Sequence, residues 1–166
     1  MDAVVRVESG YRAFALHVNH LAGPQPSSRT AEEAAATVRH YLALGFNIDI
    51  GPAQVNSRNL ARLGYTVEDA LDPCKNIAGG GVILSEFYSD AVLHFGEGQT
   101  ALKAALSAYN TGNFYQGAAY VARYYNVPAI GILPTAADTK PPPPPPNPYT
   151  APAMLYSRVD LHVRVE

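Results

Sequence analysis

The sequence predicts a mainly α-helical domain over residues 1–134, followed by a proline-rich segment. Apolar residues recur at helical spacing through most of the domain, between capping residues and Gly or Pro stops. The 166 residues are 48% hydrophobic and 16% charged, which supplies a core and excludes global disorder. The consecutive prolines Pro141–Pro146 then fix the backbone and remove the amide donors that a helix requires.

Most of the domain is assigned to helices that begin at polar residues and end at Gly or Pro. In chain order they are Asp2–Ser9, Thr30–Leu44, Ser57–Leu63, Thr66–Leu71, Cys74–Phe95, Gln99–Tyr109 and Tyr115–Tyr125. Thr30 and Glu33 form a capping box. Gly79–Gly81 lies inside the longest helix, so we expect another helix or backbone to approach closely there. Residues 11–28 and 46–51 are predicted as a small irregular or β insertion.

Two further parts are predicted beyond the domain. Residues 135–153 form a stiff polyproline II linker. In residues 154–166, apolar residues from Val159 to Val165 alternate with polar ones, which indicates a half-buried strand able to pair with a partner's sheet edge. A frayed tail is the alternative, and both interpretations stay open.

Charge and cysteine content exclude several functional classes. A net charge of −2 and a pI near 6.2 exclude the strongly basic profile of a nucleic-acid binder. No window approaches the ~20 apolar residues of a membrane span. The single cysteine, Cys74, excludes an intrachain disulfide framework and a cysteine-built zinc site, and we expect it to be a small buried hydrophobe. No metal is expected, because no i, i+4 pair occurs among His17, His20, His40 and His94.

Glu8 is the first candidate for chemistry. It falls in the last turn of the first predicted helix, just before Gly10. A carboxylate there faces the negative end of the helix dipole among apolar neighbours, which raises its pKa as a general acid requires. An ordinary exposed glutamate at a frayed helix end is the alternative.

The second candidate is the segment from Asp49 to Asn56. Gly51 and Pro52 predict a turn, and Gln54 and Asn56 place two amides where a sugar or peptide can be hydrogen-bonded. A turn that leads into a helix capped at Asn56 or Ser57 explains the same residues without a ligand.

The third candidate lies at the end of an alanine-rich helix. Tyr109 and Asn110 either reach back into a cleft or belong to a helix C-terminus in which Gly112 adopts the left-handed conformation.

Together, these three motifs resemble the signature of the soluble lytic transglycosylases. The motifs are Glu8–Gly10, Gly51–Gln54 and Ala108–Asn110, and the resemblance covers residues 1–127. It is closest to the transglycosylases that accompany type IV secretion and conjugation systems. The segments that carry this closer similarity are residues 6–10, 47–51, 54–60 and 71–76.

The resemblance implies an α+β, lysozyme-like fold, a helical bundle around a glycan cleft. It also implies cleavage of the β-1,4 bond between N-acetylmuramic acid and N-acetylglucosamine in peptidoglycan. Glu8 would be the catalytic acid and base, with Ser9 as a support beside it. Gln54 would contact substrate, and Tyr109 and Asn110 would hold the acid or the neighbouring sugar. The turn departs from the family pattern, because Pro52 and Ala53 replace Leu and Met.

Asp49 leaves the mechanism open between two alternatives. As a second carboxylate it would support lysozyme-type hydrolysis. If it only shapes the turn, Glu8 acts alone: the substrate's N-acetyl group stabilises C1, the muramoyl 6-hydroxyl closes a 1,6-anhydro ring, and no cofactor is needed. A non-catalytic peptidoglycan-binding or assembly-scaffold domain is a third interpretation.

The resemblance also implies a periplasmic location and a secretion-apparatus partner for the C-terminal tail. No signal peptide precedes the first helix in this chain, so we expect a leader to have been removed or to lie outside it. Cys74 would then be the orphan of a lost disulfide, as an alternative to the buried hydrophobe. The tyrosines at helical spacing are expected in the core rather than as sugar platforms: Tyr41, Tyr120, Tyr124 and Tyr125.

Overall fold

The computed structural model describes residues 1–126 and 128–140, and it confirms the mainly helical fold with a small sheet. The helices are α1 (Asp2–Ser9), α2 (Ala31–Ala43), α3 (Leu60–Leu63), α4 (Val67–Leu71), α5 (Pro73–Phe95), α6 (Gln99–Thr111) and α7 (Ala118–Tyr125). The strands are β1 (Leu16–Val18), β2 (Ile48–Ile50) and β3 (Val55–Asn56). Short 3-10 turns occupy Ser57–Asn59 and Ala136–Asp138. Within these residues no helix combines the length and apolarity that crossing a membrane requires.

The antiparallel sheet has the strand order β1-β2-β3 and two chemically different faces. Val18, Ile48 and Ile50 are fully buried on the core face. The strand alternation places a polar row on the other face, in which His17 pairs with Asp49 and Asp49 with Asn56. The sequence analysis predicted short strand near β1 and β2 but assigned none at β3.

Of the three apolar clusters among the described residues, the smallest packs α5 against α6 around Ala91 and Ala104, and the other two flank the central helix α5. One joins the buried face of the sheet to α2 and α4, with Val38 and Leu71 among its members. The other joins α1 to α6 and α7 through Val4, Leu106 and Val121. The polar face of the sheet and the C-terminal end of α1 therefore lie at the junction of two packed halves.

The glycines of α5 permit close approach at two of the three positions. A Cβ at Gly80 would lie 2.7 Å from the Ala53 Cβ, and one at Gly79 would lie 2.9 Å from the Tyr65 ring. A Cβ at Gly81 would meet nothing nearer than the Met1 side chain at 3.8 Å. The expected close approach is confirmed for Gly79 and Gly80 and is wrong for Gly81.

Several helix boundaries in the structure differ from the predicted ones. The Thr30 hydroxyl caps α2, but the Glu33 carboxylate accepts from the Arg29 amide, so the reciprocal half of the capping box is absent there. The predicted helix 57–63 divides into a 3-10 turn and the single turn of α3. Helix α6 runs two residues further than predicted, and α7 begins three residues later.

Residues 135–140 belong to the folded part of the chain. Ala136–Asp138 is a 3-10 turn, and the Lys140 amide donates a 2.5 Å hydrogen bond to the His94 carbonyl at the end of α5. The prediction of polyproline II is therefore wrong for Ala136–Asp138, whereas Thr139 has an extended backbone with a φ of −67° and a ψ of 133°. The remainder of the linker and the strand-like tail, residues 141–166, lie outside the described residues.

Cys74 is exposed, so its prediction as a buried hydrophobe is wrong. The physical reason is its position in the first turn of α5, where Asp72 caps the helix and Pro73 is the first residue. That turn faces away from the apolar clusters.

Candidate active site

A cavity of about 730 Å³ opens between the end of α1, the polar face of the sheet and the end of α6. Most of the candidate residues from the sequence line it together: Glu8, Gln54, Asn56, Tyr109 and Asn110. These residues come from three separate parts of the chain, so the fold brings the three motifs to one place.

Ser9 is the candidate that does not line this cavity. Its side chain is buried, and its hydroxyl donates a 3.1 Å hydrogen bond to the Val5 carbonyl within α1. Its own carbonyl accepts from the Arg12 guanidinium at 2.9 Å. Through these two hydrogen bonds Ser9 stabilises the C-terminal end of α1, the helix that carries Glu8.

Glu8 is half-buried in the last turn of α1, which ends at Gly10 in the left-handed conformation. Burial raises the pKa of Glu8 to about 7, because desolvation penalises the charged carboxylate. A hydrogen bond from Tyr120 lowers this pKa, the negative charge of Asp49 raises it, and the positive charge of Arg123 lowers it. Glu8 therefore keeps its proton to a higher pH than an exposed glutamate does.

Helix α7 supplies the groups around Glu8 that sequence analysis missed. The Tyr120 hydroxyl donates to Glu8 Oε1, and the Tyr124 hydroxyl lies 2.5 Å from that of Tyr120. Arg123 Nη2 donates to the Val7 carbonyl at 2.6 Å and so holds the C-terminal end of α1. Spacings of three and four residues in the sequence put these side chains on one face of a helix, but they do not indicate that this face meets Glu8.

The turn between β2 and β3 depends on the buried residue Asn76 of α5. Gly51 has a φ of +75°, and a Cβ there would lie 2.5 Å from Asn76 Nδ2. The Asn76 amide donates to the Ile50 carbonyl and accepts from the Ala53 amide. Pro52 and Ala53 are buried and do not line the cavity, so the bulky pair they replace in the family pattern is not needed for its lining here.

Gln54 and Asn56 line the cavity with side chains that are already held by the protein. Gln54 Nε2 donates to the Gly51 carbonyl at 2.8 Å and to the Ala15 carbonyl at 3.2 Å, which leaves Oε1 to accept from a ligand. Asn56 Nδ2 donates to Asp49, and its Oδ1 accepts from the Arg58 amide, as the helix-cap alternative predicted.

Tyr109 and Asn110 end α6, where Gly112 is left-handed as the C-cap alternative predicted. Both side chains also line the cavity, so the two alternatives are compatible. The Tyr109 hydroxyl donates to the Ala53 carbonyl at 2.7 Å rather than to Glu8. Burial, with the nearby charge of Glu8, raises the pKa of Tyr109, so this hydroxyl remains a donor.

Asp49 lies on the central strand β2 and lines the same cavity as Glu8. Asn19 Nδ2 donates to one carboxylate oxygen at 3.0 Å, and Asn56 Nδ2 donates to the other at 2.5 Å. Of the two alternatives for Asp49, the turn residue does not fit, because Asp49 pairs in the ladder between His17 and Asn56, and the second carboxylate stays open. Within the described part of the chain, no cluster of His, Cys, Asp and Glu could hold a metal ion.

Comparison with known proteins bears on the three motifs directly. The family model described as the transglycosylase SLT domain matches residues 1–125, which include all of them. The chain belongs to this family. The resemblance found in the sequence is therefore confirmed, and the cavity is the place where the three sequence motifs meet in this chain.

Relatives of this SLT domain include proteins named for type IV secretion. The type IV secretion system protein virB1 of Brucella abortus is 42% identical over 121 residues, 70% of this chain and 49% of the relative. The protein virB1 of Rhizobium radiobacter is 37% identical over 117 residues, 70% of this chain and 48% of the relative. The chain thus spans about half the length of these relatives. No solved structure matches it.

Proposed function

We propose that this SLT domain is a peptidoglycan lytic transglycosylase that cleaves the β-1,4 bond between N-acetylmuramic acid and N-acetylglucosamine. The observation that carries the proposal is Glu8, a half-buried carboxyl group with a pKa near 7 in a cavity lined by all three family motifs. A general acid works best when its pKa lies near the working pH. The lining is rich in amide and hydroxyl groups, which suits a hydroxyl-rich glycan.

In the first step, protonated Glu8 gives its proton to the glycosidic oxygen as the bond from C1 to that oxygen breaks. Tyr120 occupies Oε1, so the acid proton is carried by Oε2. The carbonyl oxygen of the muramoyl N-acetyl group stabilises the positive charge at C1, which removes the need for a nucleophile from the protein.

In the second step, ionised Glu8 takes the proton of the muramoyl 6-hydroxyl while that oxygen attacks C1. The new bond closes a 1,6-anhydro ring and returns Glu8 to its protonated form. No water is consumed. A pKa near 7 suits both halves of the cycle, because the same group must give and then accept a proton.

Hydrolysis is the second candidate, and the position of Asp49 favours it. Asp49 lines the cavity with Glu8, and two side-chain amides donate to its carboxylate and hold it in place. In that mechanism water attacks C1 and the product has a reducing end. The two candidates share Glu8 as the acid and differ in the product.

The relatives' names support a biological setting. We propose that the domain acts in the periplasm, where it opens peptidoglycan locally for a type IV secretion or conjugation apparatus. The C-terminal tail is proposed to contact that apparatus. A purely scaffolding role is the competing interpretation, and it predicts that loss of Glu8 chemistry leaves the role intact.

The test is clearing of purified peptidoglycan by the full chain and by Glu8→Gln. We expect the variant to lose about 10²- to 10⁴-fold in rate, the usual contribution of a general acid. Glu97→Gln, at an exposed glutamate, is the matched control and should clear at the wild-type rate. Equal clearing by Glu8→Gln would refute the catalytic proposal.

A further inference from the structure

A second tyrosine, Tyr124, lies next to the Tyr120 hydroxyl that donates to Glu8. Tyr124 lies one helical turn after Tyr120 on α7, and the two hydroxyl oxygens are 2.5 Å apart. Their rings are 5.1 Å apart in an edge-to-face arrangement, so the pair is packed as well as hydrogen-bonded. Tyr120 in turn bonds Glu8 Oε1, which makes a chain of three side chains.

When Glu8 is ionised, counting hydrogens fixes the direction of this chain. Each phenol has one hydrogen to donate. The Tyr120 hydrogen is used on Glu8, so the hydrogen between the two phenols must come from Tyr124. The direction is then from Tyr124 to Tyr120 to Glu8.

We infer that Tyr124 is a positioning residue for the acid: it donates to the Tyr120 oxygen and so commits the Tyr120 hydrogen to Glu8 Oε1. Hydrogen bonds in such a chain polarise and strengthen one another. Tyr124 thereby acts on Glu8 through Tyr120, without contacting substrate. The proton that Glu8 gives up is kept on Oε2.

Other charged and titratable groups face this chain and must be held constant in a test. Asp49 from β2, Arg123 from α7 and Tyr109 from α6 act electrostatically on Glu8 or respond to its charge. Arg6 from α1 and Arg123 also act on Tyr124, whose pKa is raised mainly by burial. None of these groups is altered by a Tyr124→Phe substitution, which removes a single oxygen.

The experiment follows the Glu8 carboxyl resonance of the isotopically labelled 166-residue chain by NMR as pH is changed, with Glu8→Gln for assignment. The hydrogen bond from Tyr120 stabilises ionised Glu8, so its loss raises the Glu8 pKa. We expect an increase of about one unit in Tyr120→Phe. In Tyr124→Phe we expect the Glu8 pKa to rise by about 0.3 unit, because the Tyr120–Glu8 hydrogen bond then loses only the strengthening that Tyr124 supplies.

Two comparisons separate this role from a merely structural one. Tyr125→Phe removes a neighbouring hydroxyl that bonds Gln99 and should leave the Glu8 titration unchanged. In a Tyr120→Phe background, adding Tyr124→Phe should have no further effect, because the residue that transmits it is gone. An unchanged Glu8 titration in Tyr124→Phe, or an equal shift with and without Tyr120, would overturn the inference.

A kinetic readout tests the same residue in turnover, and it rests on the proposed function. The alkaline limb of kcat/KM on peptidoglycan should move to higher pH by the same amounts, because the first step needs protonated Glu8. If neither the wild type nor any variant has activity, the proposed function is refuted. The NMR titration still decides the role of Tyr124 in that case.

Discussion

Asn76 Oδ1 accepts a 2.8 Å hydrogen bond from the Ala53 amide, and this contact joins helix α5 to the turn that carries Gln54. The Asn76 Nδ2 group also donates to the Ile50 and Ala70 carbonyls, both at 2.7 Å. A single buried side chain thus satisfies backbone groups on both sides of the turn. The position of the second motif depends on a residue outside all three motifs.

Asn76→Ala should therefore destabilise the fold. It leaves three buried backbone groups without their partner, which costs about 3 kcal/mol in the free energy of unfolding. Chemical denaturation measures this loss. Asn110→Ala, at an exposed asparagine, is the control and should stay within about 0.5 kcal/mol of wild type. Equal stability of the two variants would show that the Asn76 hydrogen bonds do not contribute to the free energy of unfolding.

Gly80→Ala and Gly81→Ala should have opposite effects. A Cβ at Gly80 would lie 2.8 Å from the Tyr109 hydroxyl oxygen as well as against Ala53, so overpacking should cost about 1–3 kcal/mol. At Gly81 the nearest atom is 3.8 Å away, so the substitution should stabilise α5 by about 0.5–1 kcal/mol. Thermal unfolding compares the pair, and a neutral Gly80→Ala would contradict the packing described.

The raised pKa of Glu8 predicts a pH-dependent difference in stability between wild type and Glu8→Gln. The folded-state pKa is about 7 and the reference value is 4.5, so the folded chain binds extra protons between these pH values. The contribution of Glu8 to the stability of the fold is fully present below pH 4.5 and is lost as the pH rises through 7. As the pH rises, the free energy of unfolding of Glu8→Gln should therefore increase relative to that of wild type, by up to about 3 kcal/mol.

Chemical denaturation of both proteins at several pH values from about 4 to about 8 measures that difference, because this range spans the titration of Glu8. Glu97→Gln serves again as the exposed control and should show no comparable trend. A difference between wild type and Glu8→Gln that stays constant with pH would mean that Glu8 is not desolvated in the folded chain.

Asp49→Asn separates the two candidate mechanisms. In the transglycosylase mechanism the variant still forms the anhydro product, because no protein nucleophile is used. The alkaline limb of its pH profile should move to lower pH, since the charge of Asp49 raises the Glu8 pKa. A loss of turnover as large as that of Glu8→Gln would instead give Asp49 a direct part in the chemistry.

Local signals in the sequence were sufficient for much of the helical framework. Gly10, Thr30 and Asp72 mark helix ends through interactions with their own neighbours, so the corresponding boundaries of α1, α2 and α5 were predicted within one residue. Strand β3 was missed because a pair of residues carries no detectable period and depends on β2 for its hydrogen bonds.

The site was only partly predictable for a related reason. The three motifs identified Glu8 and most of the cavity lining, but the hydroxyl bonded to Glu8 lies 112 residues away on α7. A tyrosine at helical spacing has the same pattern whether it fills a core or holds an acid, and Tyr120 does both. The difference is decided by how α1 packs on α7, which no local pattern records.

Mass analysis of the fragments released from purified peptidoglycan tests the central claim most directly. The chain is expected to release muropeptides that end in 1,6-anhydro-N-acetylmuramic acid, one water lighter than hydrolytic products, and Glu8→Gln should release none. Fragments with reducing ends in their place would contradict the account, because water and not the 6-hydroxyl would then have attacked C1.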